Sequence, residues 1–140
     1  VESILRVNSW MATPLLAEVA TRWVADGTAA RLVEVQRERL ALRHKMVEEH
    51  LAEFTLCNHP SSLSAWVGIS AHWQLDSLVQ QLRHRLVAVT SPDPFLVLGA
   101  TRPNAIRLCL GAEDSDERIN GALGTIANVF RQYPQVHDYL

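Results

Sequence analysis

The chain has 140 residues, enough for one domain and too few for two ordinary ones. Hydrophobic residues make up 48% and charged residues 20%, a globular composition. The formal net charge of -2 argues against a nucleic-acid-binding surface within this segment.

Val1 to Ala12 shows no clear period. Thr13-Pro14 reads as a helix start, an N-cap followed by proline at the first helical position. Leu15, Leu16, Val19, Ala20, Trp23 and Val24 then recur at spacings of three and four, and Asp26-Gly27 reads as the stop. A second helix, capped by Thr28, is predicted from Ala29 to about Glu53. It carries Leu32, Val35, Leu40, Leu42, Met46, Val47 and Leu51 between charges. At 1.5 Å per residue it spans about 37 Å.

The period then changes. Phe54 to Cys57 is a short strand candidate, and Asn58-His59-Pro60-Ser61-Ser62 is a turn cluster. Leu63 to Ile69 is a strand, with Leu63, Ala65, Val67 and Ile69 on one face. Leu75, Leu78, Val79, Leu82 and Leu86 mark an amphipathic helix. Val87 to Val89 reads as a short strand, Ser91-Pro92-Asp93-Pro94 as a loop, and Phe95 to Leu98 as another short strand. Arg102-Pro103-Asn104 is a turn, and Ala105 to Leu110 a strand. Asp114 with Glu117 resembles a capping box, opening a last helix on Ile119, Leu123, Ile126 and Phe130. The expected fold class is α+β, a two-layer arrangement. Long N-terminal helices lead into a small, mostly antiparallel sheet covered by helices.

No stretch approaches the roughly 18 apolar residues that a transmembrane helix needs. Val1 to Trp10 lacks a signal-peptide pattern. Without an initiator methionine, Val1 reads as a cut inside a longer protein. Two cysteines, Cys57 and Cys109, make no disulfide framework and point to a reducing, cytoplasmic setting.

Of the 13 basic residues, 12 are arginine and one, Lys45, is lysine. Lys45 stands at helical spacing from Glu48 and Glu49, the pattern of a solvated ion pair. A Schiff-base lysine wants a desolvated pocket, and nothing around Lys45 suggests one. The six histidines form no metal site: His44 and His50 fall on different helix faces, and Cys57-x-His59 supplies two ligands at most. Gly121-Ala122-Leu123-Gly124 reads as close helix packing. The four tryptophans, Trp10, Trp23, Trp66 and Trp73, read as core or interface anchors. Arg107 is different, because it interrupts the apolar strand Ala105-Ile106-Arg107-Leu108-Cys109-Leu110. By alternation it shares a face with Ala105 and Cys109, opposite Ile106, Leu108 and Leu110. Two readings fit: a solvated strand arginine, or a planar fork that clamps a carboxylate.

Several runs resemble one family. They are Thr13-Pro14-Leu15-Leu16 through Arg22-Trp23-Val24-Ala25-Asp26-Gly27-Thr28-Ala29, the arginine-rich helix to Arg43, Leu63-Ser64-Ala65-Trp66-Val67, and Val87-Ala88-Val89 before a proline loop and Phe95. The best is Pro103-Asn104-Ala105-Ile106-Arg107-Leu108-Cys109-Leu110-Gly111-Ala112. Together, over about residues 4 to 131, these resemble the C-terminal small domain of a fold-type I aminotransferase dependent on pyridoxal phosphate. The most similar variant is the aminotransferase-like domain of GntR-family, MocR-type transcription regulators.

The resemblance implies residues 1–28 as an inter-domain segment and helix, and residues 29–140 as the small domain. It implies that Arg107 receives the carboxylate of an amino-acid ligand as the domain closes over the cofactor site. The Schiff-base lysine and the residues that hold the cofactor would lie upstream of Val1. No catalytic, cofactor-binding or metal-binding residue is therefore expected in this chain, and the isolated chain is expected to be no enzyme and to bind no cofactor.

The implied parent binds pyridoxal phosphate, is a homodimer in the cytoplasm, and makes no membrane contact. Its partners are the upstream large domain, an amino-acid or amine ligand, and DNA through an N-terminal winged helix. Ser62-Leu63-Ser64-Ala65-Trp66 departs from the family's Gly-Leu-His-Leu-Trp, and Ser91-Pro92-Asp93-Pro94 from its Pro-Gly-Ser, so the loop facing the cofactor differs in shape. Two alternatives remain: the small domain of a stand-alone aminotransferase, and an autonomous α/β ligand-binding or dimerisation module.

Overall fold

The computed structural model describes residues 13–132; Val1 to Ala12, and with them Trp10, lie outside the described residues. The chain divides into two compact units, Val1–Glu38 and Arg39–Leu140.

In the first unit, α1 spans Pro14–Ala25 with Pro14 at its first turn, as the Thr13-Pro14 pair predicts. Gly27 takes a φ of +80°, which glycine reaches without a side-chain clash and which stops the helix. None of the residues of α1 is buried. The long helix α2 runs Thr28–Leu51, two residues shorter at its C-terminus than predicted. Its cap is a correction too. Thr28 is already helical, and the Asp26 carboxylate accepts from its N–H at 2.9 Å.

In the second unit, α2 contributes the stripe Leu40, Arg43, His44, Val47 and Leu51, all buried. Three strands follow as an antiparallel sheet in the order β1-β2-β3: β1 Leu56–Cys57, β2 Ser64–Gly68 and β3 Ala105–Cys109. Alternation sets the faces. Ala65 and Val67 of β2 and Ile106 and Leu108 of β3 are buried, while Ser64, Trp66, Ala105 and Arg107 between them are half-buried. Leu63, expected on the buried face, is exposed, because β2 begins one residue later.

The inner face shares one core with Val47 and Leu51, with Leu78 and Leu82 of α3 (Leu75–His84), and with Leu123, Ile126 and Val129 of α4 (Asp116–Arg131). Each such side chain contributes about 1.5–3 kcal/mol on burial. Among the described residues, four helices and a small antiparallel sheet make this an α+β fold.

Two predicted strands do not form. Val87–Val89 is pinned at its start by a Val87 N–H bond to the Leu82 carbonyl, and it meets the sheet only at Thr90, which bridges Arg107. Asp93–Phe95 is a 3-10 turn, in which Phe95 N–H bonds the Pro92 carbonyl and Leu96 N–H the Asp93 carbonyl. Those donors are used within the loop and cannot join a ladder. Leu86 was expected on the apolar face of α3; it lies beyond the helix end and is 95% exposed. The N-cap of α4 is Ser115 rather than Asp114. Its hydroxyl accepts from Arg118 N–H at 3.2 Å and donates to Glu117 at 2.7 Å. Gly121 faces open space, so close packing does not explain it, and Gly124 lies against His50 at ordinary contact distance.

Candidate functional site

The site grows from the outer face of the sheet. The register pairs Trp66 with Arg107 across β2 and β3, and Cys57 with Trp66 across β1 and β2. Since side chains alternate, Cys57, Trp66 and Arg107 stand in a row on the face away from the core. Arg107 N–H donates to the Thr90 carbonyl at 2.8 Å, and its own carbonyl accepts from Thr90 N–H at 3.1 Å. Its own N–H and C=O are thus both spent on Thr90, on the side of β3 away from β2.

The turn Asp93–Phe95 brings Phe95 over this row. The Arg107 guanidinium lies 5.1 Å from the centre of the Phe95 ring, and Phe95 meets Trp66 edge-on at 5.7 Å. The ring face attracts the cation and limits its rotamers. Arg102 fixes the turn. It grips both Asp93 oxygens, at 2.6 and 2.7 Å, and reaches Asp76 of α3 at 2.8 Å. The hydrogen bonds that Arg102 donates to Asp93 and then to Asp76 raise its pKa, and those that Asp93 accepts from Arg102 and Ser91 lower that of Asp93.

The sheet-facing arginine thus differs from its neighbours. Arg102 is committed to two carboxylates. Arg43, 1% exposed, donates from Nε to Asp116 at 2.8 Å and from Nη1 to the Leu110 carbonyl. Its Nη2 lies 2.7 Å from the same Asp116 oxygen as an ion-pair contact without hydrogen-bond alignment. Among the described residues, Arg107 has no carboxylate within ion-pair reach. Its guanidinium lies against the Phe95 ring, and among the described residues its polar edge meets no carboxylate.

Sequence reasoning placed Arg107 on this face correctly but missed Trp66 and Phe95 as its companions. Trp66 falls between Ala65 and Val67 in the alternation, which marks it as outward-facing. Nothing local marks Phe95, because a loop brings it there. Trp73, by contrast, is buried in the core. Near the start of β2, buried His44 donates from Nε2 to the Ser62 carbonyl at 2.9 Å, and His50 pairs with Asn120. Among the described residues, no group of three or more His, Cys, Asp or Glu could hold a metal ion. No described helix is long and apolar enough to cross a membrane.

Pyridoxal phosphate, implied by the resemblance, needs an amine for its aldehyde and donors around its phosphate. Lys45 does not fit that need. It is exposed on α2 and lies 3.9 Å from Glu49, the surface ion pair that its spacing predicts.

No protein-family profile matches the chain, and no curated protein matches its sequence. Two solved structures share its fold. An archaeal alanine:glyoxylate aminotransferase superposes with a TM-score of 0.70 at 19% identity, covering 90% of this chain and 32% of that one. A protein of Psychrobacter arcticum 273-4 described as an amino-acid aminotransferase superposes with a TM-score of 0.68 at 16% identity, covering 94% and 32%. The chain spans about a third of the length of each. It has the fold of that third of an aminotransferase chain.

Proposed function

We propose that this chain is the C-terminal small domain of an aminotransferase-like protein that binds pyridoxal phosphate, and that Arg107 receives the carboxylate of the amino compound bound there. One observation carries the reading: a strand arginine, preorganised under Phe95 and without a carboxylate partner among the described residues, faces outward from a fold shared with aminotransferases. A planar guanidinium meets two carboxylate oxygens with two parallel hydrogen bonds, which lysine cannot copy. Fixing the fork before binding lowers the ordering cost. The cofactor supplies the electron sink when bound; this chain binds and orients the ligand and helps exclude water as the domain closes.

The motif resemblance extends the reading to a MocR-type regulator. Closure of this domain on an amino ligand then alters DNA binding by a distant winged helix, in a cytoplasmic homodimer. The test uses the full-length protein. Arg107→Ala is expected to weaken binding of the amino acid by about 2–5 kcal/mol. The matching amine without a carboxylate should bind both proteins equally. DNA affinity without ligand should stay unchanged, while the response to ligand disappears. An Arg107→Ala protein with undiminished amino-acid affinity refutes the assignment.

A second reading, a stand-alone aminotransferase, is favoured by the character of both structural neighbours. It predicts exchange of an amino group between an amino acid and a 2-oxo acid, and no response of DNA binding.

A further inference from the structure

Beside Arg107, on the same face, lies an apolar hollow of about 330 Å³ lined by Thr55, Cys57, Trp66, Gly68, Pro103 and Ala105. That volume is within the range of small-molecule sites. Trp66 belongs to both places, since it pairs with Arg107 in register and forms one wall of the hollow. Ala105 is two residues from Arg107 on β3, about 7 Å along the strand. Gly68, opposite Ala105, keeps the floor low, because a Cβ there would come within 3.1 Å of the Thr55 Cβ.

Resting on the carboxylate reading above, we propose that this hollow takes the apolar side chain of the ligand whose carboxylate Arg107 holds. The site then selects monocarboxylates with a branched or aromatic group over dicarboxylates. Three observations support the class. The lining carries neither a lysine nor an arginine to meet a second carboxylate. Arg102, next to Pro103, is committed to Asp93 and Asp76. The Trp66 ring offers an aromatic surface against which a ring or branched chain packs.

The experiment titrates the 140-residue chain with acetate, phenylpropionate and glutarate at matched ionic strength, following the Arg107 guanidinium and Trp66 indole signals by NMR. Acetate should move the Arg107 signal. Phenylpropionate should bind at least about tenfold tighter and also move Trp66, and glutarate should stay within about threefold of acetate. Ala105→Leu and, at the exposed rim, Thr55→Leu fill the hollow. Each should abolish the gain from the phenyl group and leave acetate binding unchanged, and Thr55→Leu serves if Ala105→Leu does not fold. Acetate binding at Arg107 without gain from the phenyl group, or with glutarate tightest, overturns this inference alone. A guanidinium signal indifferent to every carboxylate overturns the carboxylate reading and this inference with it.

Discussion

At the residue scale, the two central arginines have opposite tasks. Among the described residues, Arg107 has no carboxylate on its polar edge, whereas Arg43 donates to Asp116 and the Leu110 carbonyl. Arg43 joins the long helix to the end of β3 through the Leu110 carbonyl and to the start of α4 through Asp116. Removing a buried charge that satisfies such groups is expensive. Arg43→Ala is expected to destabilise the fold by about 3 kcal/mol. Arg43→Met should cost less, because its stem still fills the site and half-exposed Asp116 can be hydrated. Urea denaturation measures both, and equal losses would contradict this account. The position of Arg43 was partly legible. Leu40, Arg43, His44, Val47 and Leu51 fall at spacings of three and four, one stripe of a helix. Its partners were not legible, since Leu110 and Asp116 are far along the chain.

At the scale of elements, the end of α3 decides two of the differences from expectation. Leu86 N–H bonds the Arg83 carbonyl, and Val87 N–H bonds the Leu82 carbonyl, the paired bonds of a Schellman cap. Leu86 therefore sits at a φ of 63°, where glycine is the usual residue and a Cβ is strained. Its side chain is almost fully exposed, so it gains nothing from packing there. Leu86→Gly is expected to stabilise the fold by about 1 kcal/mol, read as a higher urea midpoint at unchanged slope. An unchanged or lowered midpoint would show that the strain is absent. The pattern from Leu75 to Leu82 was legible because its apolar spacing persists for several turns. The cap was not, because leucine carries no sequence signal for a left-handed position. Likewise Phe95 to Leu98 has the composition of a strand, yet Pro92, Asp93 and the grip of Arg102 turn it into a 3-10 bend.

At the scale of the whole molecule, charge pairing makes stability depend on pH. In the unit from Arg39 onward, hydrogen bonds from Arg43 lower the pKa of Asp116, those from Arg102 that of Asp93, those from the Ser115 backbone that of Glu113, and that from the Ser115 hydroxyl that of Glu117. A carboxylate whose folded pKa is depressed adds stability above its ordinary value, and that stability is lost as pH falls through the lowered one. The urea midpoint is therefore expected to fall between about pH 5 and about pH 3. Asp116→Asn should start lower at neutral pH and lose less on acidification. A variant that loses as much as the parent protein would remove Asp116 from the cause.

Local patterns by themselves determined the α+β class, the presence and approximate extent of the helices, and the outward phase of Arg107. Period and alternation act between residues close in sequence, so one chain without relatives displays them. The family resemblance rests on short runs of the same kind, and the fold shared with two aminotransferases agrees with its aminotransferase-like part alone. Only the tertiary structure decided which arginine is spent and which is available, that Phe95 covers Arg107, and that an apolar hollow opens beside Trp66. Each of these depends on groups tens of residues apart meeting across a sheet or a loop. Their partners are selected by packing geometry, which no local period encodes.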